Sequence, residues 1–183
     1  MAFLLTFVPI VLGDYSIAWA IIPIVFISLR RGILQGLFAG LLTGLLVFLI
    51  KEGSNDTAEN LVVQLAPFAF IGISGLFAKF TQRTLNNKRF PNAALNITTA
   101  SFFGALFYYL WQLVGHISFN TDIVTEAQSA FSYFLRVNGL SLLMTFVLTA
   151  AVLLLAAKVS PKLFIPKNTP FLSRKEKSRL LND

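Results

Sequence analysis

The sequence predicts an all-α integral membrane protein: a bundle of six transmembrane helices with both termini in the cytoplasm. Three observations carry that expectation. Of the 183 residues, 56% are hydrophobic and 13% charged, and the mean hydropathy is +0.73, outside the range of ordinary soluble domains. Apolar runs near the roughly 20 residues needed to cross about 30 Å of hydrocarbon recur along the chain. Finally, 13 of the 15 Lys and Arg residues fall in alternate breaks between those runs, the pattern of cytoplasmic loops under the positive-inside rule.

Met1 to Leu12 is apolar but too short to span, and it lacks the basic start of a secretory signal. It reads as the outer part of a first helix, with the remainder truncated or upstream. Gly13 to Ser16, carrying Asp14 and Tyr15, reads as a turn. The second span is expected over Ile17 to Leu29, interrupted by Pro23, which membrane helices tolerate, and it stops at Arg30 and Arg31. The third covers Ile33 to Ile50. Gly32, Gly36, Gly40 and Gly44 recur at every fourth position, a small-residue strip that lets another backbone approach closely, within the bundle or at a dimer interface.

A polar loop, Lys51 to Asn60, leads to a fourth span from Leu61 to about Phe80, with Gln64 near its start. Gln64 serves either a ligand or an interhelical hydrogen bond. The fifth span is expected over Ala94 to Ile117 and the sixth over Phe131 to Ala157. Residues 1–165 then form one substrate-binding membrane domain, and 166–183 a basic cytoplasmic tail. The net charge of +7 follows the loops and marks the cytoplasmic face, so it gives no reason to invoke nucleic acid. With no cysteine and one histidine, thiolate metal sites and His clusters are excluded and no cofactor is expected.

Residues 107–139 concentrate the side chains able to recognise a small molecule. Tyr108, Gln112 and His116 fall on one helical face at i, i+4 and i+8, with Trp111 beside them. Tyr133, Arg136 and Asn138 follow across a short polar loop. A pocket for a planar heterocycle uses such groups, aromatic rings for affinity and hydrogen bonds for orientation. The alternative is an interfacial aromatic belt; for Arg136 it is a side chain snorkelling to the surface. No phosphate-binding loop occurs, no Asp or Glu lies deep in a span, and no Ser–His–Asp set shares a face. The chain therefore reads as a non-enzyme without an energy source of its own.

Several motifs resemble a known family, the S components of energy-coupling factor (ECF) transporters, and in particular their thiamine-specific members. They are IIPIVFISLRRG at Ile21 to Gly32, the glycine strip after it, GISGLF at Gly72 to Phe77, Y-x4-N-G from Tyr133 to Gly139, and PKLF at Pro161 to Phe164. The resemblance implies a six-helix subunit that captures a vitamin outside the cell and docks onto a transmembrane coupling protein with two ATPase subunits.

Tyr133 and Asn138 match ligand-contacting positions of the thiamine-binding members. Five residues place them about 140° apart on an ideal helix, so both face one ligand only if Tyr133 lies at or before an irregular helix start. A Glu-Tyr pair that the family carries in the fourth span is absent, and Gln64 is the nearby polar residue. The family's fifth-span histidine falls near Trp111 or Gln112, its later tryptophan near Phe119 or Asn120, and the tryptophan before the second span near Asp14 or Tyr15. Asp14 is the candidate for the missing negative charge; failing that, the ligand is a neutral pyrimidine, thiazole or pyridine, such as hydroxymethylpyrimidine or pyridoxine. The reading from another class is a membrane scaffold that binds no small molecule.

Overall fold

The computed structural model describes residues 2–6, 10–12, 15–50, 61–119, 130–173 and 176; at positions 10–12, 15, 116, 130, 131, 133, 134 and 137 the description stops at the backbone. The chain opens with a short helix α1 (Ala2–Leu5) and an antiparallel strand pair, β1 (Ile10–Leu12) and β2 (Tyr15–Ile17), in which Ile10 faces Ile17. Helices α2 (Ile21–Arg31) and α3 (Ile33–Ile50) follow. A continuous helical rod then runs over Leu61–Asn86. It consists of a π turn (Leu61–Leu65), α4 (Ala66–Ile71), a 3₁₀ stretch (Gly72–Phe77) and α5 (Ala78–Asn86). Helices α6 (Phe90–Phe119) and α7 (Ala130–Val159) complete the bundle, and a 3₁₀ turn (Pro161–Phe164) leads into the C-terminal segment.

Among the described residues, four helical segments are long and apolar enough to cross a bilayer: Ile33–Ile50, Leu61–Asn86, Phe90–Phe119 and Asn138–Val159. They coincide with the expected third to sixth spans. The beginning of the chain differs from expectation. Ile10–Leu12 is a strand where the outer part of a helix was expected, and the second helix begins at Ile21. Pro23 therefore sits in the first turn of α2, where its missing N–H removes no hydrogen bond, and does not interrupt a span.

Helix α3 shows how a membrane bundle inverts the usual arrangement. Its buried positions are Gly36, Gly40, Thr43, Gly44 and Val47, while Leu34, Phe38, Leu42 and Leu49 are 62–67% exposed. The small residues face inward, and the large apolar ones face what would be lipid. The glycine strip packs inside the bundle against the rod: a Cβ at Gly40 would collide with the carbonyl of Phe68, and one at Gly44 would stand 2.6 Å from the carbonyl oxygen of Leu65. From the other side, a Cβ at Gly75 would stand 2.6 Å from the nitrogen of Ile33. Gly72 and Gly75 share a face because the 3₁₀ stretch repeats every third residue.

Helix α2 lies at the centre. Ile21, Ile24, Val25 and Leu29 are fully buried, and they join Ile71, Ile97, Ala100 and Ala105 in the core. The last turn of α2 leaves carbonyls without intrahelical partners, and another element satisfies two of them. Gln82 of α5, itself fully buried, donates through Nε2 to the carbonyls of Leu29 (3.0 Å) and Arg30 (2.8 Å). Its Oε1 accepts from Thr169 Oγ1 at 2.6 Å. Pro166, Thr169 and Leu172 are buried, and the Phe171 ring lies over Gly32, whose φ of +97° closes α2. The first residues of the C-terminal segment thus pack into the bundle.

Candidate functional site

Of the described basic side chains, Arg30, Arg31, Lys79, Arg83, Lys88, Arg89, Lys158, Lys162 and Lys167 sit at or beyond element ends on the side of Gln82, and Arg136 alone lies near the start of α7. At the opposite end the bundle holds a cavity of about 420 Å³, within the usual range for small-molecule sites. Each wall comes from a different element. Strand β2 and the turn that follows it contribute Ser16, Ile17, Ala18 and Trp19; α3 contributes Val47; the π turn and α4 contribute Val63, Gln64 and Phe68. Helix α6 adds Tyr108 and Gln112, and Leu5 and Thr6 lie across from it.

The polar groups of the wall are held in place by specific contacts. Gln112 Nε2 donates to Tyr108 Oη at 3.1 Å, one helical turn away, as the spacing of four requires. The Tyr108 ring packs edge-on against Phe68 and Tyr109, with centroids 5.3 and 5.1 Å apart. Trp19 Nε1 is buried with no hydrogen-bond partner among the described residues, a donor on a chain segment that lines the cavity. The described lining residues carry no formal charge.

The turn that closes the cavity is tied to two helices. Ser16 N–H donates to Ser141 Oγ at 3.2 Å, and Ala18 N–H to Thr145 Oγ1 at 3.3 Å. Tyr109 Oη donates to the Ser16 carbonyl at 2.9 Å and lies 3.0 Å from Thr145 Oγ1. Because the single phenolic hydrogen goes to Ser16, Thr145 supplies the proton of the last contact. These polar pairs satisfy three backbone groups of a non-helical segment at the end of an apolar bundle.

Of the nine residues singled out in the sequence, Gln64, Tyr108 and Gln112 line the cavity. Trp111 does not. Its indole donates to the Val62 carbonyl at 2.9 Å and stacks on Phe70, 4.4 Å between centroids, so it braces the start of the rod behind the wall. Asn138 is buried at 9% exposure, one turn before Ser141 on α7 and outside the described lining. Tyr15 forms the strand pair with Leu12, but its side chain, those of His116 and Tyr133, and all of Asp14 lie outside the described residues. Helix α7 is regular from Ala130, so Tyr133 does not precede the helix start.

Sequence reasoning missed Trp19, Phe68 and Ser16 as lining residues. The readable signal was Trp19, an aromatic donor two residues before the IIP motif. The anchoring roles of Ser141 and Thr145 had none, because hydroxyls in apolar helices ordinarily bond back to their own helix, as Ser101 does to Ile97 at 2.8 Å.

Comparison with known proteins places this arrangement. Residues 1–165 match the family described as Thiamine transporter protein (Thia_YuaJ). The chain is 30% identical over 149 residues to the thiamine transporter ThiT of Bacillus subtilis, covering 81% of this chain and 78% of that one. The solved structure of ThiT from Listeria monocytogenes superposes with a TM-score of 0.80 at 30% identity, covering 90% of this chain and 91% of that one. The inward strip of glycines and the apolar faces turned outward suit a membrane-embedded bundle. The chain therefore belongs to the thiamine transporter protein family and is a multi-pass membrane transporter, not an enzyme.

Proposed function

We propose that this chain is the substrate-capture S component of an ECF-type vitamin importer, and that it binds thiamine at the end of the bundle facing away from the cytoplasm. The observation that carries the reading is the cavity itself, walled by Trp19, Phe68 and Tyr108 and furnished with the amides of Gln64 and Gln112. Aromatic faces stack on a planar heterocycle and the amides orient its ring nitrogens. The cavity lies opposite the basic end, so the positive-inside rule turns it outward and puts both termini of a six-span bundle inside.

Thiamine carries a positive charge that the described lining does not match. The acidic residues Asp14, Glu52, Asp56, Glu59, Asp122 and Glu126 all fall outside the described residues, and Asp14 directly precedes β2 in the sequence. In this reading Asp14 supplies the counter-charge, and Tyr133, Asn138, Tyr15 and His116 complete the site. A neutral precursor, a pyrimidine or a thiazole, is the second reading, favoured by the uncharged described wall.

Uptake requires the coupling protein and two ATPase subunits, because the chain has no nucleotide-binding motif. Cells expressing this chain alone should accumulate no labelled thiamine, and uptake should appear when the ATPase module is added. Rapid accumulation without the module would overturn the S-component assignment.

A further inference from the structure

A second cavity, of about 390 Å³, opens at the basic end between the α5–α6 turn and the end of α7. Leu85, Phe90, Ala157 and Pro161 form its apolar walls, with Lys88 and Lys158 among its lining residues. Leu85 and Ala157 are buried, and both lysines are exposed. Helices α6 and α7 run away from this point through the membrane, so the cavity lies where a span meets its flanking polar layer. Arg89 and Lys162 are the immediate chain neighbours of its lining residues.

Lys158 alone has a bland explanation, since a cation in the last turn of α7 suits the helix dipole. Lys88 does not. The N–H of Lys88 bonds to the Leu85 carbonyl (3.0 Å) and that of Arg89 to the Thr84 carbonyl (2.9 Å), which closes α5 in a Schellman-type cap with Lys88 at the left-handed position. Its φ is +56°, and among the described residues no other non-glycine residue has a positive φ. Glycine fits this position without steric penalty. A lysine placed there at the expense of stability points to a use for its charge.

The geometry points to a binding site for an anionic phospholipid, its phosphodiester between Lys88 and Lys158 and an acyl chain along Leu85, Phe90 and Ala157. Basic pockets between spans on the cytoplasmic side take such headgroups, and an apolar wall continuous with the lipid-facing surface separates a lipid from a free anion. This site is remote from the vitamin cavity and does not depend on which vitamin binds there.

The test uses the purified full chain in detergent, titrated with dioleoylphosphatidylglycerol or dioleoylphosphatidylcholine and read by native mass spectrometry and thermal melting. Phosphatidylglycerol should be retained at one equivalent and raise the melting temperature; phosphatidylcholine should do neither. Lys88→Gly should melt at the same or a higher temperature without lipid, yet bind phosphatidylglycerol about fivefold more weakly, the loss expected for one lysine near an anionic lipid. Lys158→Gln should lose a similar factor, and Lys167→Gln, outside the cavity, should lose none. Equal retention of both lipids, undiminished binding by the Lys88→Gly/Lys158→Gln double variant, or displacement of phosphatidylglycerol by millimolar inorganic phosphate would each overturn the proposal.

Discussion

Tyr109 donates its phenolic hydrogen to the carbonyl of Ser16, 2.9 Å away and 93 residues earlier in the chain. This bond, at a side chain 1% exposed, joins α6 to the turn that closes the cavity. Tyr109→Phe keeps the ring but leaves the Ser16 carbonyl and the Thr145 hydroxyl without it. The expected loss is about 1–3 kcal/mol, the desolvation cost of buried groups left unpaired, read by thermal melting in detergent. Vitamin affinity should fall as well, because the turn carrying Trp19 loses an anchor; unchanged affinity in a variant that melts lower would detach the turn from the site.

Backbone contact between α3 and the rod makes a sharp prediction for glycine. Gly40→Ala must push the Phe68 backbone away and should cost about 1–3 kcal/mol as overpacking. Gly139→Ala on α7 meets only Leu135 Cδ2, at 3.8 Å. It should leave stability unchanged or raise it by up to about 1 kcal/mol through helix propensity. Comparing the two melting temperatures tests whether the strip on α3 acts by packing within the bundle.

The two ends of the bundle should respond separately. Gln82→Leu removes the partners of the Leu29 and Arg30 carbonyls and of Thr169 in one change. A loss of about 3 kcal/mol or more is expected from several buried groups left unpaired. Vitamin affinity measured below the melting temperature should be unaffected, because the cavity shares no lining residue with this cluster. Affinity that falls with Gln82→Leu would reveal coupling along α2.

Within the cavity, Gln112 and Tyr108 form a pair whose two members face the proposed ligand. Gln112→Ala and Tyr108→Phe should each weaken binding by roughly tenfold, the worth of one good hydrogen bond. The double variant should fall short of the product of the two, because each change also removes the contact between them. Trp111→Phe should instead lower stability through the lost bond to Val62, with a smaller effect on affinity.

Much of this was legible in the sequence because lipid imposes simple rules. Four long spans follow from hydropathy, and the opposition of basic end and cavity end follows from the placement of Arg30, Lys79, Lys88 and Lys158 against Gln64, Tyr108 and Gln112. The strand pair was not legible. Ile10–Leu12 is a short apolar run that periodicity cannot distinguish from a helix end, and the contacts that hold its partner come from Ser141, Thr145 and Tyr109, far away in sequence. The contact of Trp111 was not legible for a related reason: its indole N–H bonds to the Val62 carbonyl, far away in sequence. The positive φ of Lys88 is likewise invisible in a list of residues.

The decisive measurement is a titration of thiamine into the purified chain, following the fluorescence of Trp19, which lines the cavity, in a Trp111→Phe background. Saturable quenching that competes poorly with the free pyrimidine and thiazole, and that weakens in Gln112→Ala, is the predicted result. Absence of any response from Trp19 to thiamine or either precursor, in a protein that melts cooperatively, would contradict the assignment of this cavity as the vitamin site.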